Sequence, residues 1–270
     1  MKSNIILNEQ EVIKDYEKEK NIRKVSKNFN VPMAHIKKIL IINGYEITNR
    51  RYSVDFSYFD IIDTEEKSYW LGFLFADGYI RERKNGNSLE LKLGIKDKSH
   101  LELFKKAIKS EHKIVEGHNK VKYKGGISIS HLCSLSIYSN KLVESMKLQG
   151  IHSRKTYTIE KPSVPKNLMR HFIRGFFDGD GCLSFNEDTK RGIVSIVCVS
   201  VDFRNFIKDF MINECKVNNI YEDNKRGYIQ LQSKFDIVVF LSYIFKKSNI
   251  HLNRKKQIYD NYKKYAQQGS

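Results

Sequence analysis

Between residues 8 and 46 apolar side chains recur every three or four positions, the spacing of short amphipathic helices. EQEVIKDYEKEK places Val12, Ile13 and Tyr16 on one face, and IRKVSKNF does the same with Ile22, Val25 and Phe29. Asn30-Val31-Pro32 breaks the chain. MAHIKKILIING then carries a stripe of Met33, Ile36, Ile39 and Leu40 and stops at Asn43-Gly44, a good helix C-terminus. Two short helices about a tight break, the second carrying His35, Lys37 and Lys38 outward, predict a helix-turn-helix. The plainer alternative is a three-helix appendage. The polar stretch ITNRRYSVDFSYFD reads as a linker.

Beyond it the period changes, and one plan occurs twice, over residues 64–160 and 166–266. Each copy opens with an apolar helix ending in Asp-Gly. The first continues with YIRER, a turn at 84–87 and SLELKLGIK; the second with CLSF, a turn near 188–192 and IVSIVCVSV. Each then predicts a helix (HLELFKKAIK, FRNFIKDFMI), two more strands ending in ISISHLCSLSIY and YIQLQSK, and a closing helix (NKLVESMKLQ, FDIVVFLSYIFK). Ile151-His152-Ser153-Arg154-Lys155 is echoed by Ile250-His251-Leu252-Asn253-Arg254-Lys255. Strands joined by short turns pair antiparallel. The expected fold class is therefore α+β: two αββαββα repeats after a small N-terminal helical domain, with residues 1–55 holding that domain and the linker.

Charge narrows the partners. The 270 residues hold 48 Lys and Arg against 31 Asp and Glu, a net +17. Such an excess points to a polyanion, nucleic acid first and an anionic membrane surface second. It rises at the end, where residues 246–264 carry seven basic residues and one acidic. No run of about 18 uncharged apolar residues exists to span a bilayer, and the N-terminus lacks a signal-peptide core. Cys133, Cys182, Cys198 and Cys215 form no CxxC pair, which argues against a zinc ribbon and suits a reducing, intracellular compartment.

The densest chemical signal is WLGFLFADG at 70–78 and IRGFFDGDG at 173–181. One ungapped alignment, offset by 103, sets Gly72 on Gly175, Ala76 on Gly179 and Asp77 on Asp180. Small residues at i and i+4 strip one helix face, so two such helices can approach backbone to backbone. Packed that way, their C-terminal ends lie together and Asp77 and Asp180 project from the same end. Two carboxylates beside two negative helix termini repel unless a cation sits between them. Mg²⁺ suits the place, since it accepts one or two carboxylates and fills its shell with water and phosphate oxygens. A lone Asp-Gly would merely cap a helix. An EF-hand is excluded, because Thr189 stands where the loop requires its acid.

These two segments resemble the signature helices of LAGLIDADG homing endonucleases, and the resemblance covers about residues 64–266. It implies a pseudo-two-fold axis between the repeats and a saddle of antiparallel sheets along the DNA major groove. The signature helices would form the interface, and a monomer would cut both strands of a long asymmetric duplex site, leaving short 3′ overhangs. By the resemblance Asp77 and Asp180 bind Mg²⁺, or Mn²⁺ in its place, with the carbonyls of Ala76 and Gly179 as further ligands. The family's basic residues would be Lys155 and Lys255, with Lys96 and Lys234 as weaker matches. Phe75 stands where the second motif has Asp178, a departure at a position not usually catalytic. The N-terminal segment is similar to the helix-turn-helix of recombinases and small repressors.

Base readers are expected on strands: Arg81, Arg83, Glu90, Lys92, Asn186, Arg191, Gln230 and Gln232, with Glu90 and Lys92 sharing a face. Lys24, Lys27, Lys37 and Lys38 are expected on phosphates of flanking duplex. Intein splicing residues are missing, which implies a free-standing or intron-encoded element in cytoplasm, nucleoid or organelle matrix. The competing class is a non-cleaving binder on the same scaffold, a transcription regulator or an intron maturase. Regulators of that lineage tend to lose the two acids that this chain keeps.

Overall fold

The computed structural model describes residues 8–19, 21–45, 52–83, 86–153 and 159–268. They fall into two compact units that divide between Arg51 and Tyr52.

The first unit is three helices, α1 (Glu9–Glu19), α2 (Ile22–Asn28) and α3 (Met33–Ile42). Asn21 starts α2 by accepting the backbone N–H groups of Arg23 and Lys24 on its side chain. Asn30 takes a left-handed φ of 50° between α2 and α3, a conformation Asn tolerates better than most residues. Val12, Val25, Val31, Ile36, Ile39 and Leu40 close a small core of their own. The polar faces are left outward: Lys24, Lys27 and Lys38 are exposed and Lys37 is half-buried.

The second unit contains the duplication. The first repeat runs α4 (Glu65–Asp77), β1 (Gly78–Arg81), β2 (Ser88–Gly94), α5 (Lys98–Ala107), β3 (Val115–Tyr123), β4 (Gly126–Tyr138) and α6 (Asn140–Leu148). The second runs α7 (Met169–Asp180), β5 (Gly181–Asn186), β6 (Arg191–Val197), α8 (Val201–Asn213), β7 (Tyr221–Asp223), β8 (Tyr228–Leu231) and α9 (Lys234–Phe245). Each repeat builds a four-stranded antiparallel sheet, ordered β1-β2-β4-β3 and β5-β6-β8-β7. This is the αββαββα order twice, as the sequence predicts.

Alternation along the strands decides which side of each sheet meets the helices. Ile80, Leu89, Leu91, Leu135 and Ile137 are buried in the first sheet, as are Leu183, Val194, Ile196, Ile229 and Leu231 in the second. The opposite faces, including Lys92 and Ser184, are open. Glu90 and Lys92 do share a face. The long hairpin of β3 and the first half of β4 is exposed on both faces, so it reaches past the core.

Three features depart from the sequence reading. Residues assigned to the linker belong to the second unit: Val54, Tyr58 and Phe59 are buried in its core, because aromatic side chains spaced among polar ones suffice to anchor an irregular segment. A further helix, α10 (Asn253–Gln268), follows the second repeat and inserts Tyr259 and Tyr262 into the core. Arg83 and Gln232 lie just outside the strands, which end at Arg81 and Leu231. Among the described residues no helix is long and apolar enough to cross a membrane.

Candidate active site

The site is built by the contact of α4 with α7. Thr64 caps α4 by accepting the Lys67 N–H, and Glu65 and Glu66 favour its positive end. From Ser68 to Phe75 every side chain of α4 is buried, as expected of a helix enclosed on all sides. A Cβ on Gly72 would stand 2.0 Å from the Phe172 carbonyl oxygen and 3.0 Å from the Phe176 nitrogen. A Cβ on Gly175 would stand 1.9 Å from the Tyr69 oxygen and 2.8 Å from the Phe73 nitrogen. The two sets of neighbours are again related by the offset of 103, which is the reciprocity a two-fold interface requires. Backbone touches backbone, and only glycine fits.

Further along the same crossing, a Cβ on Gly179 would meet the Ala76 Cβ at 2.3 Å and an Asp77 carboxylate oxygen at 3.2 Å. Asp77 of the first repeat therefore lies against the residue that precedes Asp180 of the second. Asp77 is half-buried and Asp180 exposed. Each helix ends at its Asp because Gly78 and Gly181 turn the chain into β1 and β5, donating N–H to Leu74 and Phe177 carbonyls. Both glycines are obligatory, since a Cβ on either would fall 2.5 Å from that carbonyl oxygen. The donor set is all oxygen: two carboxylates and the neighbouring carbonyls. That is the chemistry of Mg²⁺ rather than of zinc, and it leaves most of a coordination shell to water and a substrate phosphate.

Beneath this pair lies a buried polar network that sequence reasoning did not find. Lys255, 2% exposed, donates to the carbonyls of Phe177 at 2.6 Å, Asp178 at 2.7 Å and Gly181. Its three protons are thus spent on the last turn of α7, and its charge meets the negative end of that helix. Burial lowers its pKa to about 8, opposed first by Asp178 and more weakly by Asp77. Asp178 is itself buried. It accepts the Tyr69 hydroxyl at 2.8 Å and the Leu252 N–H at 2.7 Å on one oxygen, and the other finds no hydrogen bond. Burial raises its pKa to about 6, against the pull of Lys255. The Tyr69 oxygen also contacts His100 Nε2 at 2.8 Å. Burial lowers His100 to about 3, so the ring is neutral and its Nε2–H donates to Tyr69.

Arg174 extends the network. It reaches Glu65 at 2.7 Å and the carbonyls of Ile244 and Ile250 at 2.8 and 2.9 Å. Asn249 binds the same Glu65. Tyr69 and Glu65 come from the first repeat, Asp178 and Arg174 from the second, so the network locks the two helices together. Phe75, at the position of Asp178, instead packs on Phe172 and Phe203. The only sequence cue to this network was the charged pair inside an otherwise apolar signature helix.

Among the other sites expected from sequence, Lys155 lies outside the described residues, as do residues 84 and 85 of the first predicted turn. Lys96 is exposed after β2, and Lys234 sits 5.2 Å above the Tyr265 ring. Arg81, Lys92, Arg191 and Gln230 all project from the open faces of the sheets. Arg81 and Lys92 flank Glu90 at 2.9 and 3.7 Å. Asn186 pairs with Arg191 across the β5–β6 turn. Gln232 donates to Gln230 at 2.7 Å, and the Arg83 backbone N–H is held by Asn87.

A family model for the LAGLIDADG-like domain matches residues 167–245. The second repeat is similar to that domain. The fold extends further. The meganuclease I-SmaMI bound to uncleavable DNA is 13% identical with a TM-score of 0.50, covering 75% of this chain and 91% of that one. The homing endonuclease I-WcaI bound to its DNA recognition sequence is 15% identical with a TM-score of 0.53, covering 72% and 86%. The architecture of the second unit is that of LAGLIDADG homing endonucleases. No curated protein matches the chain.

Proposed function

We propose that this protein is a site-specific endonuclease that cuts both strands of duplex DNA with the help of Mg²⁺ or Mn²⁺. The observation that carries the proposal is the approach of the Asp77 carboxylate to the backbone of Gly179, one residue before Asp180. Two acids at the meeting point of two negative helix ends repel, and a divalent cation beside a phosphodiester relieves that repulsion.

Asp77 and Asp180, with the Ala76 and Gly179 carbonyls beside them, would hold the metal. A bound divalent cation supplies Lewis-acid activation of water and neutralises charge on the phosphorane. The carboxylates fix the geometry, one per strand. Glycine-on-backbone packing keeps them in place, and a misplacement of about 1 Å at a reacting centre costs on the order of 10²-fold in rate. Lys255 serves the centre through α7 rather than by touching phosphate, because its protons are already bonded to three carbonyls. Lys155 is the residue proposed to stabilise developing phosphate charge.

The open sheet faces would read the major groove through Arg81, Lys92, Arg191 and Gln230, with Arg83 and Gln232 from the flanking turns. The N-terminal unit would grip flanking duplex through Lys24, Lys27, Lys37 and Lys38, lengthening the site. Because the two-fold interface lies inside one chain, a monomer suffices and its target need not be palindromic. A substrate of this kind fits an intron-encoded or other mobile element acting in nucleoid or organelle matrix. The two acids favour cleavage over the regulator reading; maturases can retain them, and a maturase of this kind would bind without linearising plasmids.

Incubation with a plasmid library and Mg²⁺, with and without chelator, tests the proposal. Wild-type protein should linearise a subset of plasmids, and chelator should abolish it. Asp77→Asn and Asp180→Asn should each reduce double-strand cutting by at least about 10²-fold while gel-shift affinity survives. Cutting at the wild-type rate by either variant would refute the assignment.

A further inference from the structure

The repeats differ most where their sheets face outward. Strand pairing sets the equivalence. Gly78 stands opposite Leu91 and Gly181 opposite Ile196, so positions on β2 and β6 correspond at an offset of 105, while β1 and β5 keep 103. At three outward positions where the first sheet carries Arg81, Glu90 and Lys92, the second carries Ser184, Ser195 and Val197. Across the ladder, Ser136 opposite Glu90 becomes Gln230 opposite Ser195. A cluster of three charges is thus replaced, on the same backbone frame, by two hydroxyls and a valine, and the serine facing them by an amide.

We infer that the base pairs under these equivalent positions differ between the two halves of the DNA target, G·C under Arg81, Glu90 and Lys92 and A·T under Ser184, Ser195, Val197 and Gln230. The inference rests on the proposed DNA-cutting function and deepens it. Arginine and lysine donate to the O6 and N7 acceptors of guanine, and a carboxylate accepts from cytosine N4. Glu90, lying between Arg81 and Lys92, presents these complementary groups together. Adenine and thymine each present a single major-groove acceptor, N7 or O4, so an A·T pair gives a cation here one bond where guanine gives two.

The second sheet offers the reverse. Val197 is 53% exposed and Ile193 37% exposed on its outward face, apolar side chains suited to the methyl groups of thymine; on the first sheet the exposed outward valines, Val115 and Val121, stand on the edge strand β3 and not at the compared positions. Gln230 matches the N6 and N7 edge of adenine. Its carbonyl oxygen already accepts from Gln232 at 2.7 Å, which orients the amide and leaves one lone pair and both N–H donors for a base. No cation stands at these equivalent positions; Arg191, which also faces outward, lies beside the β5–β6 turn opposite Asn186.

The test is selection from a randomised duplex library by the full chain in chelator, so that binding is read without cleavage. The selection is repeated with Val197→Lys and Lys92→Val, both at exposed side chains. The wild type should enrich a bipartite site. A·T pairs should dominate the positions that change with Val197→Lys, and G·C pairs the positions that change with Lys92→Val. Val197→Lys should raise the preference for guanine at one or two positions of its own half by about tenfold. Equal base composition at the two sets of positions, or both variants altering the same half, would overturn the inference and leave the endonuclease reading intact. Enrichment of no sequence at all would overturn both.

Discussion

Gly175→Ala turns the packing of the two central helices into a question of sign. At an open helical position the change stabilises by about 1 kcal/mol, because alanine restricts the unfolded chain and favours the helix. At Gly175 the added methyl would lie 1.9 Å from the Tyr69 carbonyl oxygen and 2.8 Å from the Phe73 nitrogen. Ordinary contact begins near 3.4 Å, so α7 must withdraw by about 1.5 Å, and the obstacle is backbone that no rotamer change can clear. Overpacking of this kind costs about 1–3 kcal/mol; rigid obstacles on two sides put it at the upper end, so the expected net is a loss of about 2 kcal/mol despite the propensity gain. Gly72→Ala should behave alike, since its methyl would meet the Phe172 oxygen at 2.0 Å. The double variant should lose less than the sum, because the second methyl enters a gap the first has opened. Gly117→Ala, with nothing within 4 Å of its added carbon, is the control. Urea unfolding followed by circular dichroism reads the stabilities, and plasmid linearisation reads the displacement of Asp180, expected to slow cutting by about 10²-fold. A Gly175→Ala protein as stable as wild type would refute backbone contact, and with it the argument that brings the two acids together.

Three further outcomes are expected. Asp178, raised by burial to about 6, keeps its proton in the folded state between about pH 4 and 6 while the unfolded chain has released it, so wild-type stability falls as pH rises through that window, by about 3 kcal/mol; Asp178→Asn should lack this slope in urea titrations at pH 4.5 and 7.5, and an unchanged slope would contradict the assignment. Lys255, lowered to about 8, has lost its proton when folded but not when unfolded from pH 8 to about 10.5, so its contribution to stability grows as pH rises there; Lys255→Met should remove that rise and, by losing three hydrogen bonds to carbonyls at the end of α7, cost about 3 kcal/mol at pH 7, and a variant of wild-type stability would place the lysine elsewhere. Deleting residues 1–51, which the division of units allows, should weaken DNA binding and lower the slope of log affinity against log salt by about one for each phosphate that the shortened chain no longer neutralises; an unchanged slope in fluorescence anisotropy would exclude the N-terminal lysines from the duplex.

What could be read in advance, and what could not, follows from the range over which each interaction acts. The signature helices were legible because glycine, alanine and aspartate at fixed spacing encode a constraint within one helix, and the offset of 103 repeats that constraint without any knowledge of the fold. The sheets were legible wherever one face is buried, as in SLELKLG, whose alternation reports the core directly. β3 was harder, since VEGHNKVKY buries neither face and so carries no alternation to read. The polar network was illegible for another reason. Tyr69 and Asp178 are 109 residues apart, and Asp178 and Leu252 are 74 apart, so neither partner announces the other locally. Lys255 sits in NRKK among surface lysines, and only α10, which laid it under the end of α7, distinguishes it from Lys256, which pairs with Asp260 on its own helix. The acids that would do chemistry thus stand where local pattern is strongest, while Tyr69, His100 and Lys255, which support them from outside both motifs, are specified by tertiary contact alone. Substitutions at these three should damage the site without touching its motif.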